Sequence, residues 1–203
     1  LLDQDDRDEY FARFQAAFAA VGFERLRPVY ISPENLLRVA DLDGVDALFV
    51  GGGPTPAYRD AIVPSAGAYI RERVAAGMPY GGFSAGSAIS PGRGIVGGWK
   101  LGPFVVCAEE TSEDEEELAV RDGIGLVPFA VDVHASQWGT VSRLMHTVRA
   151  GLVPEGIAID EDTMIECIGG EVSVHGLGGV YRVRRVEGAL RVDIHTAGER
   201  FRT

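Results

Sequence analysis

Apolar and polar positions follow two rhythms along this chain. In residues 8 to 22, Phe11, Phe14, Phe18 and Val21 recur at three- and four-residue spacing, and Gly22 follows. That stripe predicts an amphipathic helix over 8–22. A second one, "TVSRLMHTVRAG" at 140–151, turns Val141, Leu144, Met145 and Val148 to one side. "PSAGAYIRERVAAG", 64–77, predicts a helix stopped by Gly77. Between the first two patterns, "LRPVYIS" predicts a short strand, and Ser32 is placed to cap a short helix opening at Pro33-Glu34-Asn35.

The other rhythm is an unbroken apolar run that ends in small or polar residues. "DALFVGGG", "PYGGF", "GLVPFAVDVH" and "GIAID" share this form, which predicts buried strands. Beyond them come "TMIECIG", "EVSVH" and a hairpin, "YRVRRVEGALRVDIHT", turning at Glu187-Gly188. Strands alternating with helices predict an α/β fold, a mostly parallel sheet with helices on both faces. The strand-rich C-terminal part predicts antiparallel strands at one edge. Residues 1–203 read as a single domain without repeat or linker. The chain opens on a helix, whereas doubly wound sheets normally open on a strand. One or two strands are therefore expected ahead of residue 1.

Composition narrows the functional classes. A chain of 203 residues, 46% hydrophobic and 24% charged, can bury a sizeable core. A net charge of -11 disfavours nucleic acid and anionic membranes as partners. No apolar run approaches the ~18 residues of a membrane span. Much of the acidic excess lies in "EETSEDEEEL", 109–118, predicted as a solvated loop or acidic helical turn. Cys107 and Cys167 do not make a disulfide framework and read as packed thiols in a reducing, cytoplasmic compartment.

The candidate chemistry starts at "PYGGFSAGSAIS". Ser84 stands between Gly82 and Gly86, just past a strand and just before a helix. A turn that displays a nucleophile needs very small neighbours. It also sets the hydroxyl at a helix N-terminus, where the Ala85 N–H can meet an oxyanion. "LFVGGGPTPAY" ends another strand. It has no Lys or Ser/Thr at phosphate-loop spacing, and Pro54 has no N–H. Gly53 is then the candidate second oxyanion donor. Both turns fall at the C-terminal ends of parallel strands, where open α/β sheets place their sites. Of the four histidines, His134 ends a buried strand on that same edge; His146, His175 and His195 do not. "GIAIDEDTMI" ends in Asp160 and Glu161, which strand alternation sends to opposite sides. One of them can orient His134, and spacing leaves open which. No metal-ligand spacing accompanies His134, and no cofactor is called for.

"VGGGPT", "GGFSAGSAI", "LVPFAVDVHASQWGTVSRL" and "GIAIDEDTMI", in this order, resemble the serine peptidases that include peptidase E (the α-aspartyl dipeptidase) and cyanophycinase. The resemblance covers roughly residues 8 to 185. It implies a flavodoxin-like, class I glutamine-amidotransferase-like three-layer sandwich. It also implies a serine exopeptidase or dipeptidase acting on short peptides through a Ser-His-Glu triad: Ser84, His134 and Glu161, with Gly53 and Ala85 as the oxyanion hole. By the same resemblance Pro54, Thr55, Trp138 and Arg143 are substrate-binding candidates. The sequence departs from the family pattern at Pro54, where Asn or Asp is usual. It departs again at Trp138 and Thr140, where cyanophycinase-like members carry arginines; only Arg143 matches. Those departures argue against a strict Asp-X requirement and against cyanophycin as substrate. The sequence leaves a homodimer open.

Two rival readings share the elbow. One is a catalytically silent or regulatory domain on the same sandwich. The other is a serine esterase of the α/β-hydrolase type, disfavoured because there the acid precedes the histidine in the chain.

Overall fold

The computed structural model describes residues 1–203. Its elements are α1 (Arg7–Ala19), β1 (Leu48–Val50), α2 (Thr55–Ala75), β2 (Tyr80–Gly82), α3 (Ala85–Ala88), β3 (Arg93–Gly97), β4 (Lys100–Leu101), β5 (Phe104–Val105), β6 (Ala119–Asp122), β7 (Ala130–Val133), α4 (Thr140–Arg149), β8 (Glu155–Ile159), β9 (Thr163–Ile168), β10 (Glu171–Gly176), β11 (Val180–Val186), β12 (Ala189–His195) and β13 (Arg200–Arg202). Single 3-10 turns lie at Val39–Leu42 and Glu109–Thr111.

The fold is mixed α/β. β1 and β2 run parallel, with Leu48 opposite Tyr80 and Val50 opposite Gly82. β7 and β8 also run parallel, and β11 and then β12 extend that sheet antiparallel. β9, β10 and β13 form a separate antiparallel sheet. Six of the eight strand pairings are antiparallel, so the expected mostly parallel sheet is corrected. The antiparallel strands are also not confined to the C-terminal part, since β3 pairs with β6. The cause is connection length: parallel neighbours need a crossover of about a dozen residues or more, and short turns after β4, β9 and β11 fold the chain straight back. At the β11–β12 turn Glu187 and Gly188 both take positive φ, 51° and 84°, as a two-residue hairpin that follows the strand twist requires.

Several expected elements differ. α1 ends at Ala19, no residue on it is buried, and Val21 is 69% exposed. Its stripe rests on aromatic rings instead of entering the core: Phe14 lies 5.1 Å from Phe49 and 5.6 Å from Phe83. "LRPVYIS" contributes only an isolated bridge between Ile31 and Leu2. The Ser32 hydroxyl does accept the Glu34 and Asn35 N–H groups, yet Ser32 N–H donates to Asn35 O, and the chain turns without starting a helix. α2 begins nine residues before the expected start, capped at Pro54, and Pro64 lies inside it. Proline favours first helical turns, which is why Pro64 reads as a start from sequence alone. Cys107 is buried as expected, whereas Cys167 on β9 is exposed.

The core holds the site strands in place. One apolar cluster under α2 contains Val50, Tyr58, Ile62, Ile70, Ala85 and Ile89. A second seats Leu144 and Val148 of α4 against Ala130, Ala158 and Val183. A third covers the other face of β7 and β8 with Val172 and Val174 of β10. The ends of β1, β2, β7 and β8 are therefore anchored from below, while Gly53, Phe83 and Glu161 on the loops that leave them are exposed.

Candidate active site

The glycines around Ser84 are required by contact, not only by conformation. A Cβ on Gly86 would stand 2.3 Å from Val50 O, and one on Gly82 would stand 2.6 Å from the Gly86 carbonyl. The chain is thus packed backbone against backbone where it leaves β2, crosses the end of β1 and enters α3. Ser84 itself takes φ 50° and ψ -109°, a sparsely populated region that persists only when its surroundings enforce it. Those surroundings are specific. Gly86 N–H donates to Gly51 O at 3.1 Å and to Phe83 O at 3.0 Å, and Phe83 N–H donates to Val50 O. The Tyr80 hydroxyl donates to Gly86 O at 2.7 Å, and the Ser87 hydroxyl to Gly82 O at 2.6 Å. Ala85 is buried, Gly53 is exposed with φ 145°, and neither backbone N–H donates to another group of the chain.

His134 leaves the end of β7 with positive φ, 57°. Its Nε2 lies 3.0 Å from Ser84 Oγ, and its Nδ1 lies 2.9 Å from Glu161 Oε1. The structure thus brings Ser84, His134 and Glu161 into one hydrogen-bonded line. Asp160 turns the other way. Its Oδ1 accepts the Ser136 N–H at 2.9 Å and the Ser136 hydroxyl at 2.6 Å, and its Oδ2 accepts the Gly179 N–H at 2.7 Å. Burial pushes the Asp160 carboxyl up, and the hydrogen bonds from Ser136 and Gly179 outweigh that, holding it below the usual carboxylate range. Asp160 ties the turn carrying His134 to β8 and to the segment before β11. The Glu161 N–H donates to Gln137 Oε1 at 3.1 Å, a second tie.

The remaining candidates fall into two groups. Trp138 stacks on His134, ring centroids 4.0 Å apart and planes 15° from parallel. Pro54 is exposed beside Gly53. The Arg143 guanidinium is engaged inside the chain. It is buried and bound to Asp132 through Nε–Oδ2 at 2.9 Å and Nη2–Oδ1 at 2.7 Å, and it donates to Thr111 O at 2.8 Å. Burial works against its charge, and Asp132 more than restores it. Thr140 is buried, with its hydroxyl on Val133 O at 2.6 Å. Thr55 is also buried and already engaged: its N–H and hydroxyl both go to the Glu113 carboxylate, at 3.3 and 3.0 Å.

Glu113 was not singled out in the sequence. It belongs to the acidic stretch, which holds an acidic helical turn at Glu109–Thr111 and leaves Glu109, Glu110, Asp114, Glu116 and Glu117 exposed, as expected, while several of its carboxylates are also paired. Glu115 pairs with Arg121, Glu116 with Lys100 at 2.6 Å, and Glu117 accepts the Gly102 N–H at 3.1 Å. Burial raises the Glu113 carboxyl above its ordinary range, and the Thr55 hydrogen bonds oppose this in part. The first residue of the glycine loop's own helix is therefore closed by an internal anion. No cluster of three His, Cys, Asp or Glu side chains stands close enough to hold a metal ion. No helix is long and apolar enough to cross a membrane.

Comparison with known proteins gives a consistent picture. The family model of peptidase family S51 matches residues 3–175. The crystal structure of a peptidase from an acI-B1 Actinobacterium is similar over 99% of this chain and 79% of that one, with a TM-score of 0.68 at 16% identity. At that identity the likeness speaks for the fold. No curated protein matches the chain.

Proposed function

The chain belongs to peptidase family S51, the peptidase E family of serine peptidases, and from that premise we propose that Ser84, His134 and Glu161 form its catalytic triad. The observation that carries the reading is the continuous line from Ser84 Oγ through both imidazole nitrogens to Glu161. With Nδ1–H directed at the Glu161 carboxylate, Nε2 is free to take the Ser84 proton. Oγ then attacks the peptide carbonyl, and the oxyanion falls to the unpaired N–H groups of Gly53 and Ala85. His134 returns the proton to the leaving amine, and an acyl-serine remains. A water deprotonated by His134 hydrolyses it by the reverse sequence.

The substrate in this reading is a short peptide, cut as by an exopeptidase or dipeptidase, with no strict demand for aspartate. Selecting a substrate carboxylate calls for a free cation or several free N–H donors. Arg143 is taken by Asp132, and Thr55 by Glu113. Trp138 offers an apolar wall instead, and one such wall discriminates by only ~1–3 kcal/mol. The two parallel strand pairs fit the halves of a flavodoxin-like three-layer sandwich, which is part of the same proposal.

The experiment is active-site labelling. A fluorophosphonate probe should mark the wild type at Ser84 and leave Ser84→Ala unmarked, with peptide hydrolysis lost in parallel and folding retained. Peptide turnover by Ser84→Ala at the wild-type rate would refute the mechanism.

A further inference from the structure

The imidazole of His134 has two polar edges and two faces. Both edges are used, one by Ser84 and one by Glu161. A histidine ring turns softly about its last side-chain bond, so two hydrogen bonds at opposite nitrogens need something that stops the ring from tilting. Trp138 is built to do this. Its backbone N–H donates to His134 O at 2.9 Å, which closes the turn after β7 and folds residue 138 back over residue 134. The indole then lies 4.0 Å from the imidazole and 15° from parallel. A tryptophan serving the core would bury its ring; this one is 46% exposed, and the aromatic ring it stacks on is His134. The indole face is also the best aromatic partner for a cation, and the imidazole becomes one when it takes the serine proton.

We infer that Trp138 is a positioning residue for His134: its stacked indole holds the imidazole plane between Ser84 and Glu161 and stabilises the imidazolium formed when Ser84 is deprotonated. The inference rests on the serine mechanism proposed above. The charged groups around the ring are accounted for. Glu161 is bound to Nδ1, Asp160 is turned to Ser136 and Gly179, and Asp132 is turned to Arg143.

Two measurements test it. The chain has two tryptophans, so Trp99→Phe leaves Trp138 as the only indole emitter. A stacked imidazolium quenches indole fluorescence more strongly than neutral imidazole. Emission should therefore fall as His134 is protonated, and the fall should vanish when His134→Gln is added. Emission that ignores pH, or a pH response that survives His134→Gln, would overturn the stack. The second measurement is the rate of Ser84 phosphonylation by a small fluorophosphonate, which occupies no extended peptide subsite. Trp138→Phe keeps a flat aromatic face and should react within about threefold of wild type, whereas Trp138→Leu should be slower by roughly tenfold. Phosphonylation of Trp138→Leu at the wild-type rate would make Trp138 a substrate wall only. A wild type silent toward the probe would sink the serine mechanism and the inference together. That outcome is recognisable because every variant is then equally silent while the fluorescence titration still reports the stack.

Discussion

Arg143 offers the sharpest separation between a residue that holds the site and one that binds at it. Its side chain is 7% exposed and that of Asp132 is 2% exposed, and the two are joined by two parallel hydrogen bonds. Asp132 lies on β7 two residues before His134, so the pair fixes the strand end from which the base projects. Arg143→Met leaves the Asp132 carboxylate buried without its cation, which costs about 3–5 kcal/mol. For a domain of this size each kcal/mol moves the melting point by about 2–4 °C, so a drop of roughly 6–20 °C is expected. Replacing both members, Asp132→Leu with Arg143→Met, removes the stranded charge and should recover most of the loss. Recovery should stop short by about 1–2 kcal/mol, because Thr111 O loses its donor as well. Urea unfolding of the wild type, both single variants and the double variant gives the coupling energy, and kcat/KM for one acidic and one apolar dipeptide gives the functional side. The structure requires strong coupling, and a ratio of the two kcat/KM values that Arg143→Met leaves unchanged. If Arg143→Met melted within about 2 °C of wild type but lost the acidic substrate selectively, Arg143 would be a substrate cation and the burial argument would be wrong.

Four further outcomes are expected. Glu161→Gln should lower kcat/KM by about 10²–10⁴-fold with little change in melting point, whereas Asp160→Asn, which strips ties to Ser136 and Gly179, should lower the melting point first; the reverse pattern would exchange their roles. Gly86→Ala places a Cβ against the backbone of Val50, where nothing flexible can yield, and should cost about 3 kcal/mol together with most of the probe labelling at Ser84; an unperturbed melt would show that the elbow can move. The Glu113 carboxyl is raised in the folded state, so its contribution to stability is full at acid pH and is lost as pH rises through the folded-state value. Glu113→Gln should therefore be at least as stable as wild type at neutral pH, with the difference closing on acidification, and a variant destabilised at neutral pH would contradict this. Finally, kcat/KM for Asp-Leu should exceed that for Met-Leu by less than about a thousandfold, ~4 kcal/mol; a larger preference would mean that a carboxylate-binding group other than Arg143 has been missed.

What could be read from the sequence depended on whether one local pattern carried the information. Apolar runs marked the ends of β1, β2, β7 and β8, and with them Ser84, His134 and the Asp160-Glu161 pair, although only β7 and β8 are buried along most of their length, β1 and β2 burying Val50 alone. Choosing between Asp160 and Glu161 was different in kind. Alternation along β8 says only that they diverge; the partners that separate them, Ser136 and Gly179 for one and His134 for the other, come from other segments of the chain. Arg143 and Thr55 have partners that were hidden for the same reason. Each has a residue type suited to binding a substrate, and each is consumed by a carboxylate that no spacing rule connects to it, 11 and 58 residues away. The mixed sheet was hidden because periodicity reports burial, not strand direction. The elbow is the opposite case. Its glycines stand where side chains would strike backbone atoms of β1 and of the elbow itself, so the sequence had to write that tertiary contact into a five-residue window. A site is legible in one dimension where close backbone packing leaves a single residue type that fits. It is illegible where a polar side chain must choose among distant partners.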